Sequence, residues 1–307
     1  MAKRILDCTA SDFGKMTKQE LLEAIAAGEG RTVACETIGN IRPMLGDVTN
    51  AEFVAAMGAD ILLLNIFDVN KPEILGLTKV APEHVIRELK RLTGRPVGIN
   101  LEPVEQALDD NELWALTDGR KATLENAKKA ADMGVNFILL TGNPGIGVTN
   151  RAITDTLKVY SDNEILSERI ILAAGKMHAS GILSEAGEGI ITKEDIKAFA
   201  DAGADIILLP APGTVPGITM EYVRELVAFA HSLGKLTMTA IGTSQEGADT
   251  DTIKRIALMC KMTGTDIHHL GDAGYAGMAM PENITAYSVA IRGIRHTYHR
   301  MAASVNR

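Results

Sequence analysis

Eight short runs of nearly unbroken apolar residues recur along the chain: TVACE (32–36), DILLLN (60–65), PVGIN (96–100), NFILLT (136–141), RIILAAGK (169–176), DIILLP (205–210), KLTMTAIG (235–242) and TDIHHL (265–270). Runs of this length without polar alternation fit strands buried on both faces. Between them, apolar residues return every three or four positions in AEFVAAM, PEHVIRELKRL, ATLENAKKAADM, NRAITDTLKVY, KEDIKAFADA, MEYVRELVAFAHSL and DTIKRIALMCKM, and again in the C-terminal PENITAYSVAIRGIRHTYHRMAA. That is the period of helices with one buried face. Gly58, Gly94, Gly134, Gly203, Gly234 and Gly264 follow six of these stretches, where a left-handed C-cap calls for glycine. Pro82 and Pro281 open two of them, at positions where a missing N–H costs nothing. MGADILLL (57–64) is nearly repeated as AGADIILL (202–209).

Eight strands alternating with eight helices predict an α/β fold, a single (β/α)8 TIM barrel over residues 32–307. Residues 1–31 form an N-terminal extension with one helix at KQELLEAIAA, expected to cap the bottom of the barrel or to meet a neighbouring subunit. A doubly wound sheet would carry GxGxxG after its first strand; ETIGNIRP stands there instead, and no nucleotide-cofactor motif is seen.

In such a barrel the chemistry gathers at the C-terminal ends of the strands. Side chains two apart share a face of a strand. Placing Ala34, Leu63, Gly98, Leu139 and Ala174 inside brings Glu36, Asn65, Asn100, Glu102, Thr141, Asn143, Lys176 and His178 towards the mouth. One of His268 and His269 joins them; since neighbours on a strand point opposite ways, both cannot. Glu36, Glu102, Lys176, His178 and His269 are the candidate catalytic residues, and Asn65, Asn100, Thr141 and Asn143 the candidate substrate-orienting ones. Lys176 after an aliphatic run is a candidate Schiff-base nucleophile or base, a clamp on an anion, or an ion-pair partner of Glu36 or Glu102. Glu36, Asp68 and Glu102 supply the hard oxygen donors that a divalent cation (Mg2+, Mn2+ or Zn2+) would take, although no local metal-binding spacing such as HExxH is present. The chain is therefore expected to use no cofactor or one such cation.

The loops after strands 7 and 8 frequently hold phosphate in this fold. Here they read IGTSQEGAD and HHLGDAGYAG, so Gly242, Thr243, Ser244, Gly271 and Gly274 are the candidate phosphate cradle, with Asp272 as an awkward negative charge inside it. TGNPGIGVTN, after strand 4, offers a rival glycine-rich loop but lacks the GK[ST] ending of a P-loop.

Composition narrows the partners. The 307 residues carry a formal net charge of −8, with 46% hydrophobic and 4% aromatic residues. The core is thus mainly aliphatic, and nucleic-acid binding, which needs clustered Lys and Arg, is disfavoured. Cys8, Cys35 and Cys260 are scattered and odd in number, no disulfide framework. Neither a secretory h-region nor a membrane-length apolar run is visible. The expectation is a cytoplasmic homo-oligomer without membrane or nucleic-acid partners.

The eight units and the glycine loops near residues 242 and 271 make the chain resemble the phosphate-binding (β/α)8 barrels. It also resembles an uncharacterised bacterial barrel family labelled phosphoenolpyruvate-phosphonomutase-like. It departs from the mutase and isocitrate-lyase group in having no acidic glycine-rich metal loop after an early strand and no KKCGH-like catalytic loop; AAGKMHASG is a distant echo. Together these features imply a lyase, aldolase or isomerase acting beside a carbonyl of a small anionic, phosphorylated metabolite. The alternatives are a non-catalytic metabolite-binding barrel and a metal-dependent hydrolase at the same strand ends.

Overall fold

The repeating apolar runs close on themselves. A computed structural model describes residues 3–104, 116–142, 147–179, 182–183 and 186–307. In it the strands β1 (Thr32–Ile38), β2 (Ile61–Asn65), β3 (Val97–Leu101), β4 (Phe137–Leu140), β5 (Ile171–Gly175), β6 (Ile206–Pro210), β7 (Leu236–Ile241) and β8 (Ile267–Leu270) form a closed parallel barrel in sequence order. β8 returns to pair with β1, Ala34 facing His269. Helices α1 (Ala10–Phe13) and α2 (Lys18–Ala26) precede the barrel. Around it lie α3 (Asn50–Ala56), α4 (Val85–Thr93), α5 (Leu124–Met133), α6 (Asn150–Ser161), α7 (Glu164–Arg169), α8 (Lys193–Asp201), α9 (Met220–Ser232), α10 (Thr250–Thr263) and α11 (Pro281–Ala302). Thr17, Thr49, Thr123, Thr149, Thr192 and Thr219 cap six of these helices by accepting a backbone N–H from the first turn, a contact worth about 1 kcal/mol each.

Burial divides the strand residues into two layers. Cys35, Leu62, Leu64, Ile99, Ile138 and Ile207 pack outward against the helices. Ala34, Leu63, Leu139, Ala173, Leu208 and Ala240 pack on the axis. The extension belongs to the inner layer: Ile5, Leu6, Phe13, Leu21 and Ile25 join that cluster, so it stoppers the barrel floor, one of the two placements expected for it. Small and large residues interlock there. A Cβ on Gly98 would lie 2.4 Å from the Phe137 ring, so the glycine makes room for the aromatic.

The near-repeat of GADI has a structural cause that extends further than the two copies. Asp60 accepts the backbone N–H of Val33 and Asp205 that of Leu172, each at 2.8 Å. Asn136 does the same for Val97 at 3.1 Å and Asp266 for Thr237 at 2.7 Å. Each acceptor sits just before an even-numbered strand and ties it to the start of the odd-numbered strand before it. The barrel floor is thus stapled four times, at every second strand pair.

One of these staples is also a charge centre. Asp60 is fully buried, with Oδ2 2.5 Å from Arg292 Nη1 and Oδ1 2.6 Å from Arg300 Nε. Arg292 also donates to the carbonyl of Gly58, and Arg300 to those of Cys8 and Ile5. The single long helix expected at the C-terminus is broken between these two arginines, at Gly293 with φ 76° and ψ 166°. The short α7 leaves no signature in the sequence, its six residues being too few for a helical period to stand out.

Candidate active site

The strand ends open into a cavity of 320 Å³ at the C-terminal mouth, at the lower end of the range for metabolite sites. Its wall includes Glu36 of β1, Asn65 at the end of β2, Asn100 of β3, Glu102 and Arg120 beyond it, Thr141 after β4, His178 after β5, Gly242 and Glu246 after β7, and Gly271, Asp272 and Gly274 after β8. The inward register expected for β1 to β4 is the observed one. In β5 it is displaced by one residue: Ala173 and Met177 belong to the inner layer and Ala174 to the outer. Met177 and His178 therefore form the wall there, while Lys176, though completely buried, is not among the lining residues. The small residues of RIILAAGK permit either register; in the barrel Ala173 pairs with the inward Leu139 and Ile206.

A chain of hydrogen bonds links three strands across the mouth. Asn65 Nδ2 donates to Asp272 Oδ2 at 2.8 Å, and Asn65 Oδ1 accepts from Asn100 Nδ2 at 3.0 Å. Asn100 Nδ2 also donates to Glu36 Oε2 at 2.9 Å. Asn65 Oδ1 also accepts from the Ile66 N–H at 2.9 Å, which fixes its amide and, through it, that of Asn100, and leaves Asn100 Oδ1 buried without a partner among the described residues. His269 is the inward histidine; its Nε2 lies 3.6 Å from Glu36 Oε2. His268 points outward, to the Tyr287 hydroxyl at 2.9 Å and the Gly30 carbonyl at 3.0 Å. Burial pushes its pKa down to about 4, so it is a neutral structural group.

Acid groups dominate the electrostatics. Burial, then the charge of Glu36, pushes Asp272 up to about 7, against the hydrogen bonds from Asn65 and the Gly274 N–H. Burial also raises Glu246 and Glu102, the latter although Arg120 Nη2 donates to its Oε1 at 2.5 Å. His178 is lowered, mainly by burial. The cavity thus presents a carboxyl poised near neutrality beside a second carboxylate, the arrangement that lets one group give a proton and the other take one.

The loops after β7 and β8 are organised differently from an open phosphate cradle. Gly242, Gly271 and Gly274 do line the cavity, but Thr243 and Ser244 do not; the Thr243 hydroxyl bonds to the Thr214 carbonyl at 2.6 Å. Several backbone donors of the β8 loop are already engaged. Ala273 N–H donates to Glu246 Oε1 at 3.0 Å and Gly274 N–H to Asp272 Oδ1 at 2.8 Å. The N–H groups of Gly271 and Gly277 donate to the carbonyls of Ile241 and Gly274. Two carboxylates hold this loop from inside. Glu246 has no mark in the sequence: EG within IGTSQEGAD, a loop that reads as an anion site, carries no signal of a carboxylate turned inward.

A three-carboxylate cation site does not assemble. Asp68 caps a turn through the N–H groups of Asn70 and Lys71 and is not among the lining residues. Glu102 is engaged by Arg120. Among the described residues no three His, Cys, Asp or Glu side chains come together as a metal-binding group. Asn143 and the next three residues of TGNPGIGVTN (144–146) lie outside the described residues.

The rim holds strained backbone. Ile66, Ser244 and Ala273, at φ 55°, 77° and 53°, adopt the left-handed conformation just after β2, β7 and β8. Each costs on the order of 1–3 kcal/mol and persists only where the surroundings enforce it, as functional sites do. Among the described residues no helix is long and apolar enough to cross a membrane.

The comparisons with known proteins agree with this architecture. A family model described as "Domain of unknown function (DUF7916)" matches residues 6–307. No curated protein matches the chain. Among solved structures, a 2,3-dimethylmalate lyase, described as a PEP mutase/isocitrate lyase superfamily member, aligns at 13% identity and a TM-score of 0.52, covering 87% of this chain and 82% of the other. A deoxyribose phosphate aldolase from Aeropyrum pernix aligns at 13% identity and a TM-score of 0.48, covering 90% and 96%. Likeness at this identity speaks to the fold alone.

Proposed function

Since the chain belongs to the DUF7916 family, whose description names no activity, we propose from the cavity itself that it is an acid–base enzyme of the lyase or aldolase type. It cleaves a carbon–carbon bond in a small hydroxylated carbonyl compound. The observation that carries this reading is the Asp272–Asn65–Asn100–Glu36 chain, which places a carboxyl raised to about 7 and a carboxylate in one buried cavity. Glu36 takes the proton of a hydroxyl β to the substrate carbonyl. The Cα–Cβ bond breaks, its electron pair passing into the carbonyl to give an enolate, while the hydroxyl carbon becomes the carbonyl of the second product. Protonated Asp272 returns a proton to the enolate carbon. Arg120 and Thr141 are the donors for the developing enolate oxygen, and Asn65 and Asn100 hold the two acid groups in register.

An anionic substrate carboxylate meets Arg120 in the cavity wall, a cation that Glu102 already partly neutralises. A phosphate finds less support, because the loops after β7 and β8 spend N–H donors on Glu246 and Asp272. The test is incubation with a panel of β-hydroxy keto acids and hydroxy acids, followed by 13C NMR. Aldehyde or keto-acid release is expected, with Glu36→Gln and Asp272→Asn each lowering kcat by about 10²- to 10⁴-fold. Turnover unaffected by both substitutions refutes the assignment.

A further inference from the structure

Among the described residues, three buried acceptor atoms in the cavity wall have no hydrogen-bond partner: Asn100 Oδ1, Glu102 Oε2 and Glu246 Oε2. Buried polar atoms are normally paired, and an exception in a cavity wall marks where a ligand or water completes the set. All three are hydrogen-bond acceptors. Asn100 has already committed its amide N–H groups to Glu36 and Asn65. Glu102 is tethered by Arg120 at its other oxygen, and Glu246 by the Ala273 N–H at its other oxygen. Each of these side chains is therefore held in place with one acceptor left over.

Their placement in the barrel limits what can satisfy them. Asn100 and Glu102 stand at the end of β3 and Glu246 just after β7, and these strands lie on opposite sides of the eight-stranded ring. A ligand whose donors all sit on one atom, such as a simple amine, serves one side only. A ligand with donors spread along its length serves both.

We propose that the cavity is a polyol site: its ligand is a linear polyhydroxylated carboxylic acid, whose hydroxyls donate to Glu246 on one wall and to Asn100 and Glu102 on the other. This rests on the lyase reading for what is done to the ligand, but not for what is bound. Hydroxyls suit these acceptors because burial penalises the negative charge on Glu246 and Glu102, and a neutral O–H donor relieves an unpaired acceptor without adding a buried charge.

The experiment is isothermal titration calorimetry of the full chain with gluconate, alongside hexanoate, 6-aminohexanoate, inorganic phosphate and magnesium chloride as separate titrants. Gluconate is expected to bind and hexanoate not. Glu246→Gln, which exchanges one acceptor oxygen for a donor, is expected to weaken gluconate about ten- to hundredfold. Saturation-transfer NMR on the unmodified protein, showing contacts along the hydroxylated carbons, checks the same point should that variant fail to fold. Equal binding of hexanoate overturns the proposal, as does binding of 6-aminohexanoate, phosphate or magnesium with none of gluconate. Gluconate bound but no hydroxy acid cleaved refutes the lyase reading and leaves the polyol site standing. Cleavage of substrates whose affinity ignores their hydroxyls does the reverse.

Discussion

Replacing Asp272 with asparagine should stabilise the protein at alkaline pH. The carboxyl is raised from an ordinary value of 3.8 to about 7 by burial, then by Glu36 and Glu246. A native pKa above the unfolded one means that the folded state binds the proton more tightly. The associated stability is full below pH 3.8, is lost progressively as pH rises through about 7, and stays lost above it. At about 1.4 kcal/mol per pKa unit, the penalty at pH 8 has a ceiling of roughly 4 kcal/mol, and residual solvent contact reduces it to about 2–3 kcal/mol. An asparagine carries no charge but keeps only one acceptor for the two donors that meet Asp272, the Asn65 amide and the Gly274 N–H. That loss is worth about 1 kcal/mol. The net gain at pH 8 is then on the order of 1–2 kcal/mol, or roughly 2–3 °C in Tm for a chain of 307 residues. At pH 4 only the lost acceptor remains and the variant should be slightly less stable than its parent. Urea unfolding of both proteins from pH 4 to 8 measures the difference directly and cancels the other titrating groups. A variant less stable than the parent at pH 8, or a difference that does not change with pH, refutes the reasoning.

Other consequences follow from the framework. Asp60→Asn should cost about 3–5 kcal/mol, because two buried guanidiniums lose the carboxylate they share; chemical denaturation reads it. Gly98→Val should destabilise by about 1–3 kcal/mol through collision with the Phe137 ring, and a double variant with Phe137→Ala should lose less than the sum of the two single changes. Borohydride reduction in the presence of a carbonyl substrate should leave Lys176 unmodified in a peptide digest, since that residue does not line the cavity; an adduct there would require a different β5 register. His268 should show no imidazole titration between pH 5 and 8 by NMR, its pKa being held at about 4 by burial.

The chain alone determined the barrel, because its evidence is local and repeated: each strand must be apolar on both faces, each helix on one, and glycine must end the helices that turn left-handed. It also determined the ring of Glu36, Asn65, Asn100, Glu102 and Thr141, since alternation along a strand follows from backbone geometry once the inner face is known. Only tertiary structure could choose between His268 and His269, place Met177 rather than Lys176 in the cavity wall, and turn Glu246 and Asp272 inward so that they consume the N–H groups of a loop that reads as an anion cradle. Those outcomes depend on which side chains meet across the barrel and on who reaches a backbone donor first. Apart from the local Asp272–Gly274 bond, such contacts join residues tens to hundreds of positions apart, and no period or spacing in the sequence records them.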